Sequence, residues 1–195
     1  MLAGTYRDEF ERTTLGADYN SLSAEWVIEA GALCVSGAHN QGVWLNRRLP
    51  RDVRIEFDAV SLSEDGDIKV ELFGDGASGA SSASYNDATS YIAIFGGWNN
   101  SRHVFARLDE HADDRIEIAV DAVKDDPRAR PVNMGQLYHF KFERKHGTIV
   151  SWWIDGVLFA ERNDAAPLAG PGHEHFAFNN WASSVCFDNL EITPL

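Results

Sequence analysis

Trp, Asn, Arg and His crowd into one short stretch, Tyr91 to His111, YIAIFGGWNNSRHVFARLDEH. Trp98 offers a flat apolar plate. Asn99, Asn100 and Arg102 beside it offer hydrogen bonds of fixed direction. A sugar ring, with one apolar C–H face and a rim of hydroxyls, is recognised by that pairing. Gly96 and Gly97 precede Trp98 and free the backbone to project a large side chain outward. The stretch therefore predicts a partly exposed Trp98, beside Trp44 or Trp181, that stacks on a sugar ring. The competing reading is a plain structural hairpin with Trp98 as its apolar cap.

Other side chains are of types that do acid–base work. Glu56 and Asp58 alternate on one segment, and Glu71 lies on the next, so paired carboxylates are conceivable. A lyase would instead use His103 or His111 as base, Arg107 to neutralise a uronate and Tyr91 as acid. Each set is also what a solvated sheet face carries, so binding is favoured over catalysis. His173 and His175 lie two apart in Gly-His-Glu-His and would share a strand face, but no third metal ligand accompanies them.

The elements that must position these residues are short strands. Val53 to Ser61 alternates, with Val53, Ile55, Phe57 and Ala59 on one face. Ile68, Val70 and Leu72 do the same, as do Tyr138, Phe140 and Phe142 against His139, Lys141 and Glu143. Period two marks strands with one face on a core. Trp26–Ile28 and Ala32–Val35 flank Glu29-Ala30-Gly31 as a hairpin. Ile149–Ile154 and Val157–Glu161 are joined by Asp155-Gly156, a strong hairpin signal. Gly42–Leu49, Tyr91–Phe95, Arg102–Leu108, Phe176–Asn180 and Val185–Ile192 complete the set. Arg115 to Asp126 fits both periods, and its β-branched residues tip it to strand. Gly74 to Asn86, GDGASGASSASYN, reads as a mobile surface loop. Many strands with hardly a helix predict an all-β sandwich or barrel.

If the alternating apolar residues face the core, their neighbours face out. Trp44, Asn46 and Arg48 form one outward row, Arg54, Glu56 and Asp58 another, and Lys69, Glu71 and Phe73 a third. His103, Phe105 and Arg107 share a face, and so do Asn179 and Trp181. Only one of Trp152 and Trp153 can be core. The predicted ligand-binding set is Trp44, Asn46, Arg48, Glu56, Glu71, Trp98, Asn99, Arg102, His103, Arg107, Trp153 and Trp181. A one-residue register shift would swap any of these rows.

With 195 residues the chain is one domain, 1–195, large enough to bury a core. The net charge of −13 disfavours nucleic acid and anionic membrane as partners. No apolar run is long enough to span a bilayer, and the first residues carry no signal pattern. The expectation is a cytoplasmic protein, or a secreted one if a leader has been removed. Cys34 and Cys186 match no metal motif. They read as free buried thiols, although a sandwich can bring its ends together.

The chain resembles the concanavalin A-like lectin/glucanase superfamily along nearly all its length. The resemblance is carried by the opening "DEFERTTLG…EWVIEAGAL" and by the close, "YHFKFERKHGTIVSWWIDGVLFAERNDAAPLAGPG" followed by "SVCFDNLEITPL". The middle, "IAIFGGWNNSRHVFARLDEH", resembles bacterial domains of the DUF1961 type, of unknown function and associated with polysaccharide use. The implied fold is a jelly roll of two antiparallel sheets, one concave and ligand-facing. Retaining glucanases of the superfamily carry E-x-D-x-E or E-x-D-x-x-E on one strand. Here Glu56 and Asp58 are followed by Val60 and Ser61 where the second glutamate belongs, so that catalysis is not expected. The resemblance also implies a structural calcium at the sandwich edge, with Asp188 at the late acidic position and Glu9 at the early one. The expectation is a non-catalytic carbohydrate-binding domain. The alternatives are a glycoside hydrolase or polysaccharide lyase on the same fold, or an interaction sandwich with no glycan ligand.

Overall fold

The computed structural model describes residues 1–195. Fifteen strands make two antiparallel sheets. The first sheet holds β1 (Tyr6–Asp8), β3 (Val27–Glu29), β4 (Ala32–Ser36), β6 (Val53–Ser61), β11 (Leu137–Lys145), β12 (Ile149–Ile154), β13 (Val157–Asn163) and β15 (Ser184–Pro194). The second holds β2 (Tyr19–Ser21), β5 (Val43–Leu45), β7 (Ile68–Gly74), β8 (Tyr91–Gly96), β9 (Arg102–Arg107), β10 (Ile116–Ala119) and β14 (His175–Asn179). Their orders are β13-β12-β11-β6-β15-β4-β3, with β1 also on β15, and β10-β9-β8-β7-β14-β5-β2. The two ends of the chain therefore pair, Tyr6 opposite Ile192.

Alternation sets which side chains meet between the sheets. Along β6, Val53, Ile55, Phe57 and Ala59 are buried while Arg54, Glu56 and Asp58 are half-exposed. Phe57 sits at the centre. Its ring lies 4.9 Å from Phe140, 5.3 Å from Phe178 and 6.0 Å from both Phe176 and Phe187, joining strands of both sheets. Truncating a ring so placed costs about 3–5 kcal/mol. Trp152 joins this core and Trp153 faces out under Lys141, whose ammonium lies 4.1 Å from the ring centroid.

The hairpins form where turn chemistry demands them. Ala30 and Gly31, and again Asp155 and Gly156, all have positive φ, as a two-residue turn matching the strand twist requires. The Arg115–Asp126 segment resolves into β10 followed by irregular chain, and the strand expected over Gly42–Leu49 is only Val43–Leu45. Phe73 was expected to face out. It has φ 59° beside a register shift between β7 and β14, and this bulge turns its ring into the core.

Two expectations are corrected. Cys34 and Cys186 are not free thiols: they stand directly opposite each other on β4 and β15 and form a disulfide. The 74–86 segment is not a loose surface loop. Residues 75–90 lie across the outer face of the second sheet and build a second small core there, in which Tyr85 and Ala88 cover Ile92, Ile94, Val104 and Ala106. No helix is long and apolar enough to cross a membrane.

Candidate functional site

The covering loop leaves part of that outer face open. The gap is a cavity of about 430 Å³, bounded by Trp98 and Trp181, by Ala83 and Ser84 of the loop, and by Asp65, Asp67, Lys69, Glu110 and His111. Asn99 also lines it.

Trp98 reaches the cavity from the turn between β8 and β9. That turn, Gly97–Asn100, is left-handed: Trp98 has φ 51° and ψ 59°, and Asn99 has φ 54° and ψ 50°. Asn100 follows with φ 58°. Asn tolerates this region and Trp does not, so Trp98 is held there by its surroundings. Asn100 is the clamp. Its amide donates to the carbonyls of Glu64 (3.1 Å) and Val132 (2.7 Å), and its Oδ1 accepts from the Val132 N–H at 2.9 Å. Gly96 (φ 79°) is needed because a Cβ there would lie 2.4 Å from Val132 Cγ2. The half-buried Trp98 ring is flanked by the guanidinium groups of Arg115, 5.1 Å from its centroid, and Arg102, 5.5 Å, with the His111 ring edge-on. Both arginines are tied to Glu117. Trp181, 36% exposed, meets His39 edge-on at 4.8 Å.

The floor is polar and buried. The Lys69 ammonium donates to Glu110 Oε2 at 3.0 Å and to Asn40 Oδ1 at 2.7 Å. Asp67 Oδ2 accepts from the Trp181 N–H at 2.8 Å, which fixes the second tryptophan's strand end. Burial pushes the Asp67 carboxyl up from its ordinary range, against the pull of Lys69 and of backbone N–H groups.

Beside this floor lies Glu71, fully buried beneath the loop. It accepts from the Tyr85 hydroxyl (2.6 Å), the Ser90 hydroxyl (2.5 Å) and the Asn179 amide. Burial raises its pKa, and the three donors offset this only in part. Glu71 is a latch for the loop, not a ligand for a solute.

Of the predicted ligand-binding residues, the structure brings Trp98, Asn99 and Trp181 together at the cavity, with Arg102 behind Trp98. It separates the others. Trp44 does lie on the outer face of its sheet, but it is fully buried under the loop, its indole N–H donating to the Ser78 carbonyl. Asn46 and Arg48 line a different depression beside the first residues of the chain. Glu56 and Trp153 are on the outer face of the other sheet, so Glu56 and Glu71 cannot act as a pair. The next alternating segment in sequence crosses to the other layer.

His103 is core. It stacks on Phe95, accepts the Gly96 N–H at Nδ1 and meets the Arg130 carbonyl at Nε2, and burial pushes its pKa down to about 4. Tyr91 is also core. Its hydroxyl and Arg107 Nε both donate to Asp164 Oδ2, at 2.7 and 2.8 Å, so neither is poised as an acid or a uronate clamp. Of the lyase candidates only His111 reaches the cavity. His173 and His175 each meet a backbone carbonyl, of Thr89 and Leu45.

Asp188 stands opposite Asp58 on the outer face of the first sheet. Burial raises its pKa, and the carboxylates of Asp58, Glu11 and Glu9 add to this. No group of three or more His, Cys, Asp or Glu side chains converges as a metal ion would require.

Sequence reasoning missed Asp67 and Glu110, neither of which it assigned a role, and placed Lys69 on an outward row without assigning it to a site. The alternation around Val70 was the signal for Lys69. Nothing local marks the two acids.

No protein-family model matches the chain, including any for the DUF1961-type resemblance of its middle stretch, and no curated protein matches it. Solved structures do. Carbohydrate-binding module CBM66 from Bacillus subtilis is 15% identical with a TM-score of 0.62, over 93% of this chain and 96% of that one. The alginate lyase Aly36B is 10% identical with a TM-score of 0.63, over 100% and 98%. A prokaryotic β-1,3-1,4-glucanase (lichenase) derived from a mouse hindgut metagenome is 8% identical with a TM-score of 0.64, over 98% and 100%. At such identities the likeness is one of fold, and it makes this chain a jelly-roll sandwich of lectin and glucanase architecture.

Proposed function

We propose that the protein binds a saccharide, without cleaving it, in the cavity between Trp98 and Trp181. The observation that carries this is the cavity itself: two tryptophans bound about 430 Å³ of space over a floor of buried polar groups. That volume suits a small ligand, and apolar plates with few convergent polar groups suit a sugar ring. Neighbours in fold that include a carbohydrate-binding module, a lyase and a lichenase support a saccharide ligand. The acids at the floor are committed to structural bonds, Glu110 to Lys69 and Asp67 to the Trp181 backbone, which favours binding over turnover. The Cys34–Cys186 pair supports an oxidising compartment over the cytoplasm.

A glycan array followed by calorimetry on the hits tests the reading. Stacking on Trp98 contributes on the order of 1 kcal/mol beyond area burial, so Trp98→Ala should weaken binding roughly tenfold or more. Unchanged affinity in both Trp98→Ala and Trp181→Ala would refute the site. One observation favours a second reading, hydrolysis: Asp67 is buried at the cavity with a raised pKa and has Glu110 for company, as an acid and a base would be. Turnover of a bound glycan that disappears in Asp67→Asn would establish that reading in place of the first.

A further inference from the structure

Resting on the saccharide reading, we propose that the cavity is selective for uncharged sugars and excludes uronates and other anionic sugars. The acidic side chains that line it are Asp65, Asp67 and Glu110 against a single ammonium, Lys69, and the His111 ring lies 3.4 Å from Glu110 Oε1. That ammonium is already engaged. Lys69 is buried, and two of its three N–H groups go to Glu110 and Asn40. The nearby guanidinium groups are engaged as well. Arg102 and Arg115 lie over the Trp98 ring, are both tied to Glu117, and do not line the cavity, while Arg115 also donates to the Glu110 carbonyl at 2.7 Å.

A uronate would bring its carboxylate beside these acids with no unpaired ammonium or guanidinium to receive it, and placing like charges together costs about a hundredfold or more in affinity. An uncharged ring meets the opposite situation. Its hydroxyls are donors, and carboxylates accept only. The same acidic floor that repels a uronate therefore orients the hydroxyl rim of a neutral sugar whose C–H face lies on tryptophan.

The test uses matched pairs of oligosaccharides that differ only at C6, hydroxymethyl in one and carboxylate in the other: gluco- with glucurono-, manno- with mannurono-, galacto- with galacturono-oligomers. Calorimetry at pH 7 and fixed salt measures both members on the wild type, on Trp98→Ala, on Glu110→Gln, which releases Lys69, and on Asp65→Lys, a change at an exposed position that keeps the fold if Glu110→Gln does not. The neutral member of a binding pair should bind at least about tenfold tighter than its uronate. Glu110→Gln or Asp65→Lys should narrow that gap by about tenfold. Equal or tighter uronate binding that Trp98→Ala weakens would overturn the selectivity and leave the saccharide site standing. A gap that neither charge variant narrows would overturn the electrostatic cause. No binding to any member of any pair would bring down the saccharide reading and the selectivity with it.

Discussion

The cavity exists only if the 75–90 loop stays down on the sheet, and one hydrogen bond tests that. Tyr85→Phe removes the hydroxyl that donates to Glu71 at 2.6 Å and leaves the ring, 1% exposed, in place over Ile92 and Ile94. Glu71 is 0% exposed, so no water replaces the lost donor. A hydrogen bond to a charged group contributes about 1.5–3 kcal/mol. For a chain of this length each kcal/mol moves Tm by about 2–4 °C, so the variant should melt about 3–12 °C lower. Amide hydrogen exchange should localise the loss to residues 75–90, because the rest of the second core is unaltered. Ser84 of the same loop lines the cavity, so ligand affinity should fall with stability. A Tm within about 1 °C of wild type, with unchanged exchange in the loop, would show that the Glu71–Tyr85 bond does not hold it and that apolar packing alone does.

Three further outcomes are expected. Reduction of Cys34–Cys186, or Cys34→Ala with Cys186→Ala, opens a crosslink between residues 152 apart in sequence; disulfides closing long loops contribute about 2–4 kcal/mol, so Tm should drop about 4–16 °C, and an unchanged Tm under reductant would mean that the native protein carries free thiols. Glu71 has a folded pKa raised above its unfolded value of about 4.3; between those two values the folded protein holds a proton that the unfolded chain has released, so this group's contribution to stability is lost as pH rises through the window. Glu71→Gln abolishes that titration, and its Tm relative to wild type should therefore be higher at pH 8 than at pH 4; a difference independent of pH would contradict a raised pKa. If Asp188, with Glu9 nearby, holds a calcium ion, EDTA should lower Tm and Asp188→Ala should remove that sensitivity, while a Tm that chelation leaves unchanged would dismiss the ion.

Most of the fold was legible because its information is local. The alternation at Val53–Ala59 and Tyr138–Phe142 reports one buried face, and Asp155-Gly156 reports a two-residue turn, without reference to any distant residue. The site was legible in part for the same reason: Gly-Gly-Trp-Asn-Asn names its own turn. What was not legible is what lies over what. Alternation says that Trp44 and Glu71 leave the core side of their sheet, and they do, but it does not say whether solvent or another segment meets them there. The Gly and Ser of residues 74–86 read as a mobile loop, while Tyr85, sent to a buried carboxylate, ties the segment down. Nor does alternation say which sheet a strand joins. Glu56 and Glu71 are on consecutive strands of the chain and on opposite layers of the sandwich.

The turn at Trp98 is where the sequence and the structure bear on function together. Three consecutive non-glycine residues, Trp98, Asn99 and Asn100, are left-handed. Each such residue costs about 1–2 kcal/mol, less for Asn. A hairpin that served only to connect β8 to β9 would place glycine or asparagine at its left-handed positions. Here it is offset by the three Asn100 hydrogen bonds to Glu64 and Val132, by the Ser101 N–H to the Gly97 carbonyl, and by two arginines on the indole. Strain maintained against such a set of restraints marks a position whose geometry matters. The effect of that geometry is visible: it sets a tryptophan at the rim of the cavity, across from Trp181, with its rotation limited by His111 and the arginines before any ligand arrives. A plate ordered in advance loses less freedom on binding than a mobile one, so a ligand that stacks on Trp98 meets order that the fold has already supplied.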